Sequence, residues 1–183
     1  GINGFGRMGR LTARVLFENS KIEIVQINDP AGDAATLAHL MNFDSVHGRW
    51  NKEALPVTGG MQVADHFVAV SSNKTLEETD WSGCDLVIEA SGKFKSKAAL
   101  QPYLDQGVKR VVVTAPVKQE GVLDCVMGVN DHLFDPKQHR IVTAASCTTN
   151  CLAPVVKVIH ENLGIKHGSM TTIHDITNTQ TII

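Results

Sequence analysis

The feature that most limits what this chain can fold into is Gly4-Phe-Gly6-Arg-Met-Gly9, because of what stands on either side of it. A bare G-x-G-x-x-G fits any tight turn. Here the apolar stub Gly1-Ile-Asn3 precedes it, and Met8, Leu11 and Val15 then fall on one face of a helix predicted over residues 7–18. Residues 22–28 read as a second strand that ends at Asp29. Strand, glycine turn, helix, strand and acid, in that order, is the pattern of a dinucleotide-binding unit. Glycines at Gly4, Gly6 and Gly9, with Phe5, Arg7 and Met8 between them, let backbone N–H groups approach a pyrophosphate at a helix N-terminus. A carboxylate at Asp29 accepts from ribose hydroxyls and repels a 2′-phosphate, which favours NAD over NADP. The plainer reading, glycines in an ordinary turn with Asp29 capping the next loop, stays open on this motif alone.

The following residues continue the alternation. A short helix is predicted over 34–41, a polar loop over 42–50, and a small antiparallel excursion over 55–70, broken at Gly59-Gly60. Residues 74–81 are charged. A buried strand over 86–89 leads into a turn at 90–94, and Ser96 is placed to cap a helix through 106. Strands are predicted over 111–114, 125–129 and 140–144, with a turn or helical piece over 130–134. Such alternation implies an α/β fold with a doubly wound, mainly parallel Rossmann-type sheet, which takes ligands at the carboxyl ends of its strands. Asp29, Ser91, Gly92 and Thr114 fall at those ends.

Cys147 follows the last of these strands and precedes Leu152, Val155, Val156, Ile159 and Leu163, whose spacing is that of one helix face closed by Gly164. A thiol at such a turn feels the unpaired N–H groups and the positive end of the helix dipole, which favour a nucleophilic thiolate. A small buried apolar side chain is the competing reading. His174 comes 27 residues later, at the end of a strand predicted to begin at 169. A helix out and a strand back would bring its imidazole to the thiol, where it could act as a base, although a lone histidine at a strand end is also compatible with a structural or solvated role. Cys147 and Cys151 have no matching second ligand pair, so no metal site is expected. The four cysteines lack disulfide-framework spacing, which fits a reducing compartment. A net charge of −2 and the absence of a membrane-length apolar tract argue against a nucleic-acid or membrane partner. The domain boundary is placed at Cys147, giving 1–146 as a nucleotide-binding domain and 147–183 as the start of an α+β catalytic domain. Both ends read as cut, the first strand and the second domain being truncated.

Taken together, Gly1-Ile-Asn-Gly-Phe-Gly-Arg7, Asn28-Asp-Pro30, Asp44-Ser-Val-His-Gly-Arg49, Glu89-Ala-Ser-Gly92, Thr114-Ala-Pro116, Ala145-Ser-Cys-Thr-Thr-Asn-Cys151 and Thr171-Thr-Ile-His174 resemble phosphorylating glyceraldehyde-3-phosphate dehydrogenase. The resemblance runs along essentially the whole chain. It implies NAD as cofactor, with Arg7 and Met8 at the pyrophosphate, Asp29 on the adenosine ribose, Thr114 near the nicotinamide, and Lys74 on the adenine side. It implies Cys147 as nucleophile and His174 as its base, with Ser146, Thr148 and Thr177 around a small phosphorylated aldehyde and inorganic phosphate. It further implies a cytoplasmic, glycolytic homotetramer whose substrate-phosphate arginine lies beyond Ile183. Departures occur at Asp175-Ile176, which place a carboxylate beside the base, and at residues 73–80. These leave room for a divergent paralogue that uses arsenate in place of phosphate. Erythrose-4-phosphate dehydrogenase is the nearest enzymatic rival, and a nucleotide-binding module without catalysis is the rival of another class.

Overall fold

The computed structural model describes residues 1–18 and 21–174. In chain order these form β1 (Ile2–Asn3), α1 (Arg7–Leu16), β2 (Gln26–Asn28), α2 (Ala34–Asn42), β3 (Phe43–Asp44), β4 (Gly48–Arg49), β5 (Ala54–Val57), β6 (Gly60–Val63) and β7 (His66–Ser71). They continue with β8 (Leu86–Glu89), α3 (Lys97–Asp105), β9 (Arg110–Val113), β10 (Leu123–Asp124), a 3-10 turn (Asp131–Leu133), β11 (Ile141–Thr143) and α4 (Cys147–Leu163). Nine strands make one sheet in the order β10-β11-β9-β8-β1-β2-β7-β6-β5. All neighbours from β10 to β7 are parallel, and β6 and β5 extend the edge as an antiparallel ribbon. The chain moves outward from β1 through β2 to β7 and then returns to β8 on the other side of β1. The switch point, where the two connections diverge and leave a crevice, therefore lies between β1 and β8.

Alternation along the strands divides the core. Val87 and Ile88, successive on β8, belong to different apolar clusters, as side chains on opposite faces of a strand must. Ile88 joins Ile2, Ile27 and Val68 beneath Ala13 of α1 and Leu37, Ala38 and Met41 of α2. Val87 joins Val111, Val113 and Ile141 against Leu100 and Tyr103 of α3 and the buried Trp81. Asp33, Ser96 and Ser146 cap α2, α3 and α4 by accepting from the N–H of Thr36, Ala99 and Thr149.

The structure departs from the sequence expectations at the edges of elements. Helix α1 stops at Leu16, two residues early. Of residues 22–28 only Gln26–Asn28 form strand, because β1 offers partners from Ile2 onward, opposite Ile27, and the earlier residues run past it. The polar stretch over 42–50 contains a hairpin, β3–β4, in which Asp44 accepts from the N–H groups of Val46 and His47 and from Arg10. In place of a strand over 125–129, Leu123–Asp124 pair with Val142–Thr143, and Asn130 closes the next turn by accepting from Val126 N–H. Residues 169–174 form no strand, since no strand among the described residues pairs with them. Among the described residues no helix is long and apolar enough to cross a membrane.

Candidate functional site

The carboxyl ends of β1, β2 and β8 open into a cavity of about 250 Å³ lined by Asn3, Gly4, Gly6, Asn28, Asp29, Pro30, Ala31, Asn73, Lys74, Ala90, Ser91, Lys93 and Phe94. The three glycines of the opening motif have three separate reasons to be glycine. Gly4 has φ +91°, and a Cβ there would stand 2.4 Å from the backbone nitrogen of Ser91, so only glycine lets the two strand ends close on each other. A Cβ on Gly9 would stand 1.9 Å from the Gly4 carbonyl oxygen, so glycine sets how near α1 packs to the turn. A Cβ on Gly6 would meet nothing within 4 Å, and that open space is where a phosphate can approach the start of α1.

Asp29 has its carboxylate fixed at this opening. Oδ2 accepts from Phe5 N–H at 2.6 Å and Oδ1 from Ala31 N–H at 2.8 Å. Each oxygen keeps a free lone pair, so the residue holds the glycine turn in place and could still accept from the hydroxyls of a vicinal diol. Lys74 and Lys93 line the same cavity with Phe94. Ser91 lines it, and Gly92 (φ +71°) makes the turn between Ser91 and Lys93. Phe5 is buried beneath the turn, while Arg7 and Met8 are exposed on the first turn of α1. Thr114 follows β9 with its N–H bonded to Glu89 O at 2.9 Å.

Below the cavity runs a buried polar chain that the sequence analysis did not single out. Glu89, 1% exposed, accepts from Asn3 Nδ2 at 2.8 Å, Tyr103 Oη at 2.6 Å, and both the N–H and the hydroxyl of Ser91. Asn3 in turn accepts from Asn28 Nδ2, and Asn28 Oδ1 takes the N–H of Asn73 and the hydroxyl of Ser71. The chain fastens together the ends of β1, β2, β7 and β8, whose loops form the cavity walls. Burial first, and the neighbouring Glu89 charge second, push the Tyr103 phenol far above its ordinary value, so it stays a donor. The one visible signal was an acid closing an apolar strand, Leu-Val-Ile-Glu89.

A second cavity, of about 480 Å³, is lined by Cys147, Thr148, Cys151, Leu152 and Val155 of α4 and by residues 170–174. Cys147 is the first residue of α4, directly after the cap Ser146, and it is exposed. Thr148 Oγ1 lies 3.0 Å from Nε2 of His174. The fold therefore brings Cys147, Thr148 and His174 to one cavity with no strand to carry the histidine there. Thr177, Asp175 and Ile176 lie outside the described residues. Such an arrangement can hold an electrophile beside a sulfur at a helix N-terminus, with an imidazole available to move a proton. All four cysteines are free, and among the described residues no group of three or more His, Cys, Asp or Glu side chains could hold a metal ion.

A doubly wound sheet with a glycine turn and a strand-end carboxylate at its switch point defines a dinucleotide-binding domain, here joined directly to a helix that presents a thiol at its N-terminus. The chain belongs to the glyceraldehyde-3-phosphate dehydrogenase family: residues 1–97 match that family's NAD-binding domain and residues 146–183 its C-terminal domain. It is 54% identical over 185 residues to glyceraldehyde-3-phosphate dehydrogenase 3 of Nostoc sp., covering 100% of this chain and 55% of that protein. The glyceraldehyde-3-phosphate dehydrogenase of Geobacillus stearothermophilus is 44% identical over the same shares. Glyceraldehyde-3-phosphate dehydrogenase 2 of Bacillus subtilis is 44% identical over 98% of this chain and 53% of its own length. The chain thus spans about half the length of the curated relatives it matches.

Proposed function

We propose that the protein oxidises glyceraldehyde 3-phosphate with NAD and inorganic phosphate to 1,3-bisphosphoglycerate, with Cys147 as nucleophile and His174 as base. The observation that carries this reading is the shared cavity of Cys147 and His174, on a chain whose first domain matches an NAD-binding domain. The cavity at the β1–β8 switch point fits the dinucleotide: open space at Gly6 for the pyrophosphate, Asp29 acceptors for the adenosine ribose, and Ser91 and Lys74 at the walls. Gly92, in the turn after Ser91, and Thr114, just after β9, would complete the site, Thr114 on the nicotinamide side. Bound there, NAD supplies the hydride acceptor.

The chain's own residues do the rest. The Cys147 sulfur bonds to the aldehyde carbon, and the carbonyl oxygen, taking a proton, becomes the hydroxyl of a hemithioacetal. The Cys147 N–H and the imidazole are donors for the developing oxyanion. His174 then takes the hydroxyl proton as the carbon loses hydride, which leaves a thioester on Cys147. A phosphate oxygen attacks the thioester carbon, the carbon–sulfur bond breaks, and thiolate and acyl phosphate are released. Ser146, Thr148 and Thr177 would surround the phosphates with hydroxyl donors. Covalent capture keeps oxidation and phosphorylation on one activated acyl group.

Residues 1–146 and 147–183 are, on this reading, the nucleotide-binding domain and the start of the catalytic domain, and the match that begins at residue 146 supports the division. A cytoplasmic, glycolytic homotetramer completes the proposal on the strength of the resemblance, and four free thiols fit a reducing compartment. The names of the relatives weigh against erythrose 4-phosphate and arsenate as the preferred reactants. The test is turnover by the full-length enzyme: Cys147→Ser should abolish phosphate-dependent NADH formation from glyceraldehyde 3-phosphate, and substantial residual turnover would refute the assignment.

A further inference from the structure

We propose that Thr143, Asp124 and Asn150 are positioning residues that hold Ala145 in a left-handed backbone conformation and thereby set where the Cys147 sulfur stands. The proposal rests on the reading of Cys147 as nucleophile. Ala145 has φ +56° and is buried, two residues before the thiol. Ala64, the other described non-glycine residue with positive φ, sits exposed in the turn between β6 and β7. A residue with a Cβ adopts this conformation at a cost, and only when its surroundings impose it.

The imposing contacts are specific. Ala145 N–H donates to Thr143 Oγ1 at 3.0 Å, and the Thr143 hydroxyl donates to Asp124 Oδ1, the residue opposite it in the β10–β11 pair. Asp124 is anchored through its carbonyl, which accepts from Asn130 Nδ2 at 2.9 Å. From the other side, the Asn150 amide donates to Ala144 O at 2.7 Å and to Ser146 O at 2.9 Å. The peptide group before Ala145 is tied at both ends, its N–H to the sheet through Thr143 and its carbonyl to Asn150 of α4, and the same Asn150 amide holds the carbonyl of Ser146 on the other side of Ala145. Release would let Ala145 fall into the right-handed region, turn Ser146 out of its capping position and carry Cys147 away from the helix N-terminus. None of the three side chains lines the cavity of Cys147, so their effect runs through the backbone.

The experiment measures Cys147 alkylation by iodoacetamide across pH in the full chain, site-resolved by mass spectrometry, beside NAD affinity by calorimetry. Thr143→Val should slow alkylation of Cys147 by roughly ten- to a hundredfold at every pH tested. NAD affinity should stay within about twofold, because the dinucleotide cavity is built elsewhere. Thr143→Ser, which keeps the hydroxyl, should restore the rate. Asn150→Ala, on an exposed residue, should act in the same direction and serves if Thr143→Val does not fold. Unchanged alkylation in Thr143→Val or, should it not fold, in Asn150→Ala overturns the proposal, as does a Thr143→Ser variant as slow as Thr143→Val. Wild-type Cys147 no more reactive than Cys151 would instead remove the nucleophile reading, and this proposal with it.

Discussion

The β1–β8 crevice and the head of α4 present their chemistry in opposite ways. Around the crevice, polar groups are buried and mutually bonded: Asn3, Asn28 and Glu89 are at most 2% exposed, with Tyr103 and the Ser91 turn fastened to the same carboxylate. Helix α4 has no buried residue, and Val155, Val156, Val158 and Ile159 stand exposed along it. The first region is held by its own core. In the second, what fixes the thiol among the described residues is the three-residue turn between β11 and α4. A rigid cradle suits a ligand recognised along its length, whereas a nucleophile needs one backbone position set and open approach to its sulfur.

The sharpest way to break this comparison is to attack the cradle. Gly9→Val places side-chain atoms where only the Gly4 carbonyl can be, and it should destabilise the fold by about 3–5 kcal/mol, read as a fall in the urea midpoint. Tyr103→Phe leaves the buried Glu89 short of a donor and should cost about 1–3 kcal/mol. Asp29→Ala, which removes ribose acceptors along with the Phe5 and Ala31 bonds, should weaken NAD binding roughly ten- to a hundredfold while Cys147 alkylation is unchanged. On the other region, Val158→Lys should move the urea midpoint of the sheet by less than about 0.5 kcal/mol equivalent, because the side chain it replaces is 61% exposed. A large loss there would show that α4 is part of the same cooperative unit.

The smallest effect concerns acid. The His47 N–H first, then the Arg10 side chain and the Val46 N–H, hold the Asp44 carboxyl well below the ordinary carboxylate range. A carboxyl depressed in the folded state adds stability that is fully present above its unfolded value, about 3.9, and is lost as pH falls towards the folded value. Asp44→Asn should therefore flatten the acid limb of the stability curve below about pH 4, and an unaltered limb would count against the assignment.

Much of this was legible because the signals are local. The glycine turn, the apolar runs of β8 and β11, and the cap Ser96 each act within a few residues of themselves. The antiparallel excursion over 55–70 was also visible, through its glycine punctuation. What could not be read depends on partners distant in sequence. Glu89 looks like the end of a strand until Asn3, 86 residues away, and Tyr103 arrive at it. Alanine carries no mark of the left-handed conformation that Asp124 and Thr143 impose at Ala145. The β-prone run at 169–174 shows the converse, since a strand needs a partner and no described strand pairs with it.

The central claim is that the crevice and the thiol serve one reaction. Full-length enzyme mixed rapidly with NAD and glyceraldehyde 3-phosphate in the absence of phosphate should give a burst of NADH equal to the number of Cys147 thiols, then stall with an acyl group on that sulfur. Added phosphate should restart it. A burst of the same size from Cys147→Ser, or NADH formation with no acyl group on Cys147, would contradict the account.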